Sequence, residues 1–411
     1  MCCRFCDIIF TQLYREVEFE IMRNRGTNQE DIQISNRALI LKSLQHVKNC
    51  SRVELSKITG LKQATVGNII NDFIKLGLIE ETGSFFGNKG RRTIGVSFSD
   101  KKYRVIGFRL TRRYYTIGIF TLDCKEICEY VHVDIKNLQP EIILEEVCNY
   151  INSIISENNK FKFLAVGVSV PGPYYKDSGE IALISAFPGW KNIKIRDVMQ
   201  SRINIPVIVE HDANAGVLAE STLLSEWDMY DTMVYISAGQ GIGAGIINNG
   251  ELYTGTLGIA GEIGHTCIDV NGSICECGRR GCLDIYASTI ALTREIRKKM
   301  RREDIEFSDV VQMLKDENPE ALEVFNKIML YMGTGIINLI YTYNPKCIVI
   351  GDEMSSIGKP VLDSLSSQIQ KMSISRLASQ VKIELAKLGD SAYIGAAVVA
   401  SHYVFNNISV E

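Results

Sequence analysis

Between Lys101 and Phe405 one order of elements is written twice. "YRVIGFRL" and "YYTIGIFTLD" alternate as two strands, "CKEICEYVHVDI" reads as a third, "EIILEEVCNYINSIISEN" has helical period, and "FLAVGVSVPGP" is a buried strand ending in a turn. "IPVIVEHDANAGVLAES" follows as strand, turn and helix. The second pass opens on the hairpin "DTMVYISAGQGIGAGIINNGELY". It continues through the helical stretch "NPEALEVFNKIMLYMGTGIINLIYTYNP" and the strand and turn "KCIVIGDEM", and closes on the helix "SAYIGAAVVASHYVF". Antiparallel strands followed by strand–helix alternation, twice over, predict two α/β lobes with a cleft between them. Their expected bounds are 100–225 plus 390–411 for the first lobe and 226–389 for the second.

At 411 residues and 46% apolar, the chain is long enough for two or three domains with sizeable cores. The overall charge of −3 excludes a chain that binds polyanions over its whole surface, but residues 22–100 carry twelve Lys and Arg against seven Asp and Glu. A small basic head on an acidic body points to a polyanion partner for the head. No apolar run approaches the ~20 residues of a membrane helix, and Arg15, Glu16, Glu18 and Glu20 break any leader-like pattern. The chain therefore reads as cytoplasmic, with its cysteines reduced. Residues 1–33 read as a poorly ordered N-terminal extension. Within it "MCCRFC" lacks further metal ligands nearby, and Met22 offers an alternative start.

The basic head has its own pattern. "ISNRALILKSLQHV" is an amphipathic helix with Ser35 or Asn36 as its cap. "SRVELSKITG" is a second helix, capped by Ser51 and stopped at Gly60. "LKQATVGNIINDFIKLG" is a third, with Val66, Ile69, Ile70, Phe73 and Leu76 on its apolar face. A hairpin follows, with "SFFGNKGRR" at its tip. Three helices and a basic hairpin predict a winged helix-turn-helix DNA-binding domain over residues 34–99. Its third helix would enter the major groove N-terminus first, presenting Lys62, Gln63, Thr65 and Asn68. Ser51, Lys89, Arg91 and Arg92 complete the expected DNA-contacting set, with Gln and Asn suited to adenine edges and Lys and Arg to phosphates.

His265, Cys275, Cys277 and Cys282 form an H-x9-C-x-C-x4-C set. One imidazole and three thiolates make a closed tetrahedral zinc site with no position left for a reacting water, so the ion expected is structural. Cys267 lies nearby but outside the motif. Asp212 ends a strand, Glu262 precedes the first metal ligand and Asp284 follows the last. Carboxylates converging on a cleft suit a carbohydrate, whose neighbouring hydroxyls donate in pairs to one acceptor. Trp190, in "SAFPGWKN", is a candidate wall for a sugar ring.

"VEHDANAGVLAE", "GQGIGAGIINNGELYTGTLGIAGEIGH" and "CECGRRGCLD" together resemble the ROK family of repressors, open reading frames and kinases, and the likeness runs from Asn36 to Phe405. The head is similar to that of the repressor branch, which includes xylose and N-acetylglucosamine repressors. The resemblance implies a two-lobed actin-like, ribonuclease-H-like fold with a sugar in the cleft, faced by Asp212, Glu262, His265 and Asp284. It also implies two departures: His211 stands where Asn is usual, and Asp284 where Glu is usual. His211 joins the expected sugar contacts on that account.

In the kinases of this family the counterpart of Asp212 is the base, and an Asp-x-Gly-Gly-Thr turn holds the phosphates and metal. Here Arg109, Leu110, Thr111, Arg112 and Arg113 fill that turn, without a glycine pair or a carboxylate. Asp352, in "VIGDEM", stands where paired glycines usually meet the nucleotide. Gly239, Gly241, Gly243 and Gly245 look like a phosphate cradle but lack its partner turn, and serve instead to shape the hairpin under Glu262 and His265. Asp212 is then a vestigial base, and no nucleotide cofactor is expected. The resulting expectation is a non-enzymatic, sugar-responsive regulator whose partners are operator DNA and a small carbohydrate. It would act as a homodimer or a dimer of dimers, with DNA binding relieved by the sugar. The alternative is an ATP-dependent sugar kinase carrying a DNA-binding head.

Overall fold

The structure, a computed structural model, describes residues 28–86, 92–135, 138–176, 178–181, 189–190, 193–226, 231–372 and 380–408. Its first helix, α1 (Gln29–Val47), begins before Ser35 and Asn36 because Asn28 and Asp31 make a reciprocal capping box. Asn28 Oδ1 accepts from Asp31 N at 2.8 Å, and Asp31 Oδ2 accepts from Asn28 N at 3.3 Å. Residues 29–33, assigned above to a poorly ordered extension, are therefore the first turns of this helix.

A two-residue strand β1 (Cys50–Ser51), helix α2 (Arg52–Thr59) and helix α3 (Gln63–Leu76) follow. Gly60 and Gly77 stop the two helices in left-handed conformations. The hairpin β2 (Ile79–Phe86) and β3 (Arg92–Phe98) is antiparallel, and β1 pairs to the other edge of β3. That third strand was not foreseen; two residues are too few to carry a pattern.

The body holds two five-stranded sheets. The first contains β4 (Tyr103–Leu110), β5 (Tyr114–Phe120), β6 (Glu126–Asp134), β7 (Lys162–Val170) and, after a short β8–β9 pair (Tyr174–Tyr175, Glu180–Ile181), β10 (Val207–His211), in the order β10-β7-β4-β5-β6. Helices α4 (Pro140–Glu157) and α5 (Ile195–Gln200) bury Ile143, Val147, Ile151 and Met199 against it. Helix α6 (Asp212–Leu223) leaves β10 without an intervening turn.

The second sheet has β11 (Met233–Ala238), β12 (Ile242–Asn248), β13 (Glu251–Leu252), β14 (Cys347–Gly351) and β15 (Lys382–Leu385), ordered β13-β12-β11-β14-β15. Helices α7 (Asp284–Ala287), α8 (Thr289–Met300), α9 (Phe307–Lys315), α10 (Pro319–Tyr343) and α11 (Lys359–Met372) accompany it. Val234, Ile236, Leu292, Phe325, Met332 and Ile350 lie in its core. The last helix, α12 (Ser391–Asn406), crosses back to the first sheet. Gly395 lets it approach α6 so closely that a Cβ there would strike the Ala215 carbonyl. A further apolar cluster joins Leu41, Leu44 and Phe73 of the head to Ala219, Val398 and Phe405 of the body, so head and body share one core.

Candidate functional site

The loop from Gly261 to Asp284 is built on β12. Ala244 N donates to Gly261 O at 2.8 Å, and Gly264 lies against the Ile242 carbonyl where no side chain fits. Gly278 and Gly281 take left-handed φ of +85° and +69°, folding the chain back on itself. This brings the ligand atoms of His265, Cys275, Cys277 and Cys282 within 4.8 Å of one another. His265 Nδ1 is 3.8 Å from Cys275 Sγ, and Cys277 Sγ is 3.6 Å from Cys282 Sγ. Zinc–sulfur bonds of about 2.3 Å at tetrahedral angles put neighbouring sulfurs about 3.8 Å apart, so the donor set fits such an ion. Cys267 is exposed and approaches the cluster only through its backbone bridge to Cys282.

Beside this cluster lies a cavity of about 440 Å³, lined from both sheets. His211, Asp212, Glu262, His265 and Asp284 all line it. Gly172 brings the chain so near His211 Nε2 and Glu262 Oε1 that a Cβ would displace both. Glu262 Oε1 is buried with no hydrogen-bond partner, and burial pushes its carboxyl up. An orphaned buried acceptor facing a cavity is the mark of a site waiting for a donor.

His211 Nε2 lies 3.0 Å from Asp212 Oδ1. Burial alone would lower the imidazole, but Asp212, with Glu262 and Glu210 further off, raises it to about 9. Burial likewise pushes Asp212 up, yet the His211 cation outweighs it and holds the carboxyl below its ordinary value. Asp212 Oδ1 also accepts from Ala213 N at 2.7 Å. Asp284 Oδ1 accepts from Ile242 N at 2.7 Å, which ties this carboxylate to the glycine-rich hairpin as well as to the cavity.

The other end of the cavity departs from a phosphate cradle. Arg109, on β4, is buried and pairs with Asp352 at 3.1 Å and with Asp390, the cap of α12. Burial would lower its guanidinium, but the two carboxylates raise it well above its ordinary value. Asp352 sits at φ +59°, ψ −156°, a region used almost only by glycine. Arg109, Ser237 Oγ at 2.9 Å and Glu353 N at 2.9 Å hold its carboxylate there. Asp352 stands against Gly239 and Arg112 against Gly241, so the open faces of both glycines are covered by side chains. Arg109 is the functional residue whose role sequence reasoning missed: it was read as part of a turn, whereas it lies within β4 and joins the two sheets.

Two other expectations change. Trp190 is 1% exposed, packed in the core of the first sheet with Met199 and Ile195, and is not among the cavity's lining residues. Ser51 is buried as the cap of α2: its hydroxyl accepts from Glu54 N at 3.2 Å and donates to Glu54 Oε2 at 2.8 Å. That hydroxyl is committed, and Ser51 leaves the DNA-contacting set. Lys62, Gln63 and Asn68 are exposed on the first turns of α3, with Thr65 half-buried among them. Lys89 and Arg91 lie outside the described residues, and Arg92 opens β3 opposite Phe86.

The class comes first from whole-fold likeness. The structure resembles that of a ROK family transcriptional regulator, a homologue of the E. coli MLC protein, with TM-score 0.76 and 25% identity over 92% of this chain and 97% of that one. It also resembles a ROK family glucokinase from Streptomyces griseus, solved with glucose and AMPPNP. There the TM-score is 0.65 and the identity 23%, over 72% of this chain and 99% of that one, a likeness of fold. The ROK family profile matches residues 106–402, and the chain belongs to that family. A xylose repressor from Caldicellulosiruptor bescii is 30% identical to it, over 87% of this chain and 93% of the relative.

The His211–Asp212 pair has a pH signature. The folded imidazole titrates near 9, above its ordinary 6.5, so its stabilisation is complete below about 6.5 and is lost as pH rises through 9. His211→Asn should therefore cost on the order of 3 kcal/mol at pH 6 and progressively less towards pH 10. Urea melts of both proteins across that range check this, and a cost that does not vary with pH would contradict it.

Proposed function

We propose that the protein is a sugar-responsive transcriptional repressor without kinase activity. Residues 34–99 act as a winged helix-turn-helix on operator DNA, and the two sheets form the lobes of an actin-like body that holds a carbohydrate between them. The observation that carries the reading is the contrast between the two ends of one cavity. At one end Glu262 keeps an unpartnered buried oxygen beside Asp212 and Asp284. At the other, Asp352, held by Arg109, and Arg112 cover the glycines that a nucleotide would need. Family membership and the repressor named among its relatives support the same reading.

A general base needs a ready affinity for a proton. The charged His211 holds the Asp212 carboxyl below its ordinary value, and both of its contacts fall on Oδ1, which leaves Oδ2 as an acceptor for a sugar hydroxyl. His265 would hold zinc through Nδ1 and offer Nε2 to a hydroxyl, so the ion fixes one wall of the sugar site. With four protein ligands and no open position the zinc is structural. Homodimers, or dimers of dimers, would place two copies of α3 on two half-sites.

The test is operator affinity measured with and without D-xylose and D-glucose. One of them should weaken DNA binding by about 5–150-fold, the usual range of such coupling. Glu262→Gln should reduce sugar affinity by about 10–100-fold, a charged hydrogen bond's worth, while leaving DNA affinity in place. Sugar-driven ADP release from ATP would overturn the reading. The purified protein should also hold stoichiometric zinc by atomic absorption. Chelation should loosen residues 264–283 in hydrogen exchange, and a metal-free preparation with that segment fully protected would contradict the structural role.

A further inference from the structure

Two helices start at the cavity and end at the head. Helix α6 begins at Asp212, in the cavity wall, and its far end, Ala219 and Leu223, lies in the core shared with the head. There the His46 Nδ1–H of α1 donates to Thr222 O at 3.1 Å. Helix α12 is capped by Asp390, the partner of Arg109 in the cavity. Its far end carries His402, whose Nε2 is 3.1 Å from Gln45 Oε1 of α1, and Phe405, stacked on Phe98 of the hairpin at 5.5 Å. Helix α6, with twelve residues, spans about 18 Å, and α12, with sixteen, about 24 Å.

The two helices are fastened to each other. Glu220 of α6 accepts from Lys387 N, Leu388 N and Ser391 Oγ at 3.1, 3.2 and 2.6 Å, just before and at the start of α12. The two helices also cross closely near their starts, where Gly395 meets the Ala215 carbonyl. Bound this way, they move as one body or not at all.

The head grips this pair through a buried polar contact. Gln45 is 0% exposed; its Nε2 donates to Leu122 O at 2.9 Å and to Cys124 Sγ at 3.2 Å, which leaves Oε1 as an acceptor. His402, driven down to about 3 by burial, is neutral and must carry its proton on Nε2 to meet it. A fully satisfied buried polar cluster has one good arrangement, because any shift that breaks it strands a donor or acceptor.

We infer that α6 and α12 transmit the sugar signal as a coupled pair, and that Gln45 and His46 are the positioning residues through which the head reads it. This rests on the regulator reading above. Sugar held by Asp212 would move the start of α6 directly, and the start of α12 through Glu220 and the Gly395–Ala215 crossing. Their far ends would carry α1, and with it the head, to a new angle.

The experiment uses the full-length protein, D-xylose and D-glucose as probes, and a duplex operator selected by binding. Sugar affinity by calorimetry, operator affinity without sugar, and operator affinity with saturating sugar are measured for wild type, His46→Ala and Gln45→Leu. Both variants should keep the two separate affinities within about threefold. In both the sugar should change operator affinity by less than about twofold, against the usual 5–150-fold of such coupling expected for wild type. Leu55→Ala weakens the head's own core without touching the contact, and should keep the coupling; this separates transmission from mere loss of stability. Should Gln45→Leu fail to fold, half-buried His46 carries the test alone. Wild-type coupling retained in His46→Ala would overturn the inference and leave the regulator standing. Absence of any sugar effect in wild type would defeat the regulator reading and the inference with it.

Discussion

A guanidinium cut off from water has to find carboxylates, because a lone charge in that setting costs several kcal/mol. Arg109 finds Asp352 and Asp390, which lie 243 and 281 residues further along the chain. These three residues come from the first sheet, the C-terminal end of β14 in the second, and the start of the last helix. One ion group therefore fixes the two sheets across the cavity, caps α12, holds Asp352 in a backbone conformation that glycine would normally take, and adds to the field that keeps Asp212 ionised. Removing Arg109 would leave two half-buried acids without their shared cation.

The same group gives the cavity its polarity. With Arg109 and Arg112 spent against acids and glycines at one end, the remaining acceptors gather around Glu262 at the other. What the cavity lacks is a donor for Glu262, and a polyol supplies donors in pairs. The His/Cys cluster then matters because His265 belongs to both the candidate metal set and the cavity wall, so the stiffness of the loop passes to the cavity.

Much of this was legible beforehand where the determinants are close in sequence. The metal-ligand set lies within eighteen residues and its glycines announce the turns, so the cluster could be read off directly. The alternating strands of both sheets and the long helix Pro319–Tyr343 carried their own periodicity. Determinants distant in sequence were not legible. Arg109 counted only as one of the residues filling the turn, because nothing in its neighbourhood points to partners so far away. Trp190 could have been a sugar wall or a core residue, and burial decided it. Local competition misled twice: Asn28 with Asp31 outbid Ser35 and Asn36 as the cap of α1, and the capping role of Ser51 removed it from the DNA surface. Strand β15 and helix α11 were passed over, since both lie beyond the motifs that drew attention.

The central claim is that this cavity takes a sugar without a nucleotide. Calorimetric titration of Mg–ATP into the protein, alone and saturated with the sugar that releases it from DNA, tests this most directly. The account predicts heat for the sugar and none for Mg–ATP up to about 1 mM, the upper end of ordinary substrate affinities. Saturable Mg–ATP binding in the micromolar range would contradict it, since it would require the Arg109–Asp352–Asp390 group to give way.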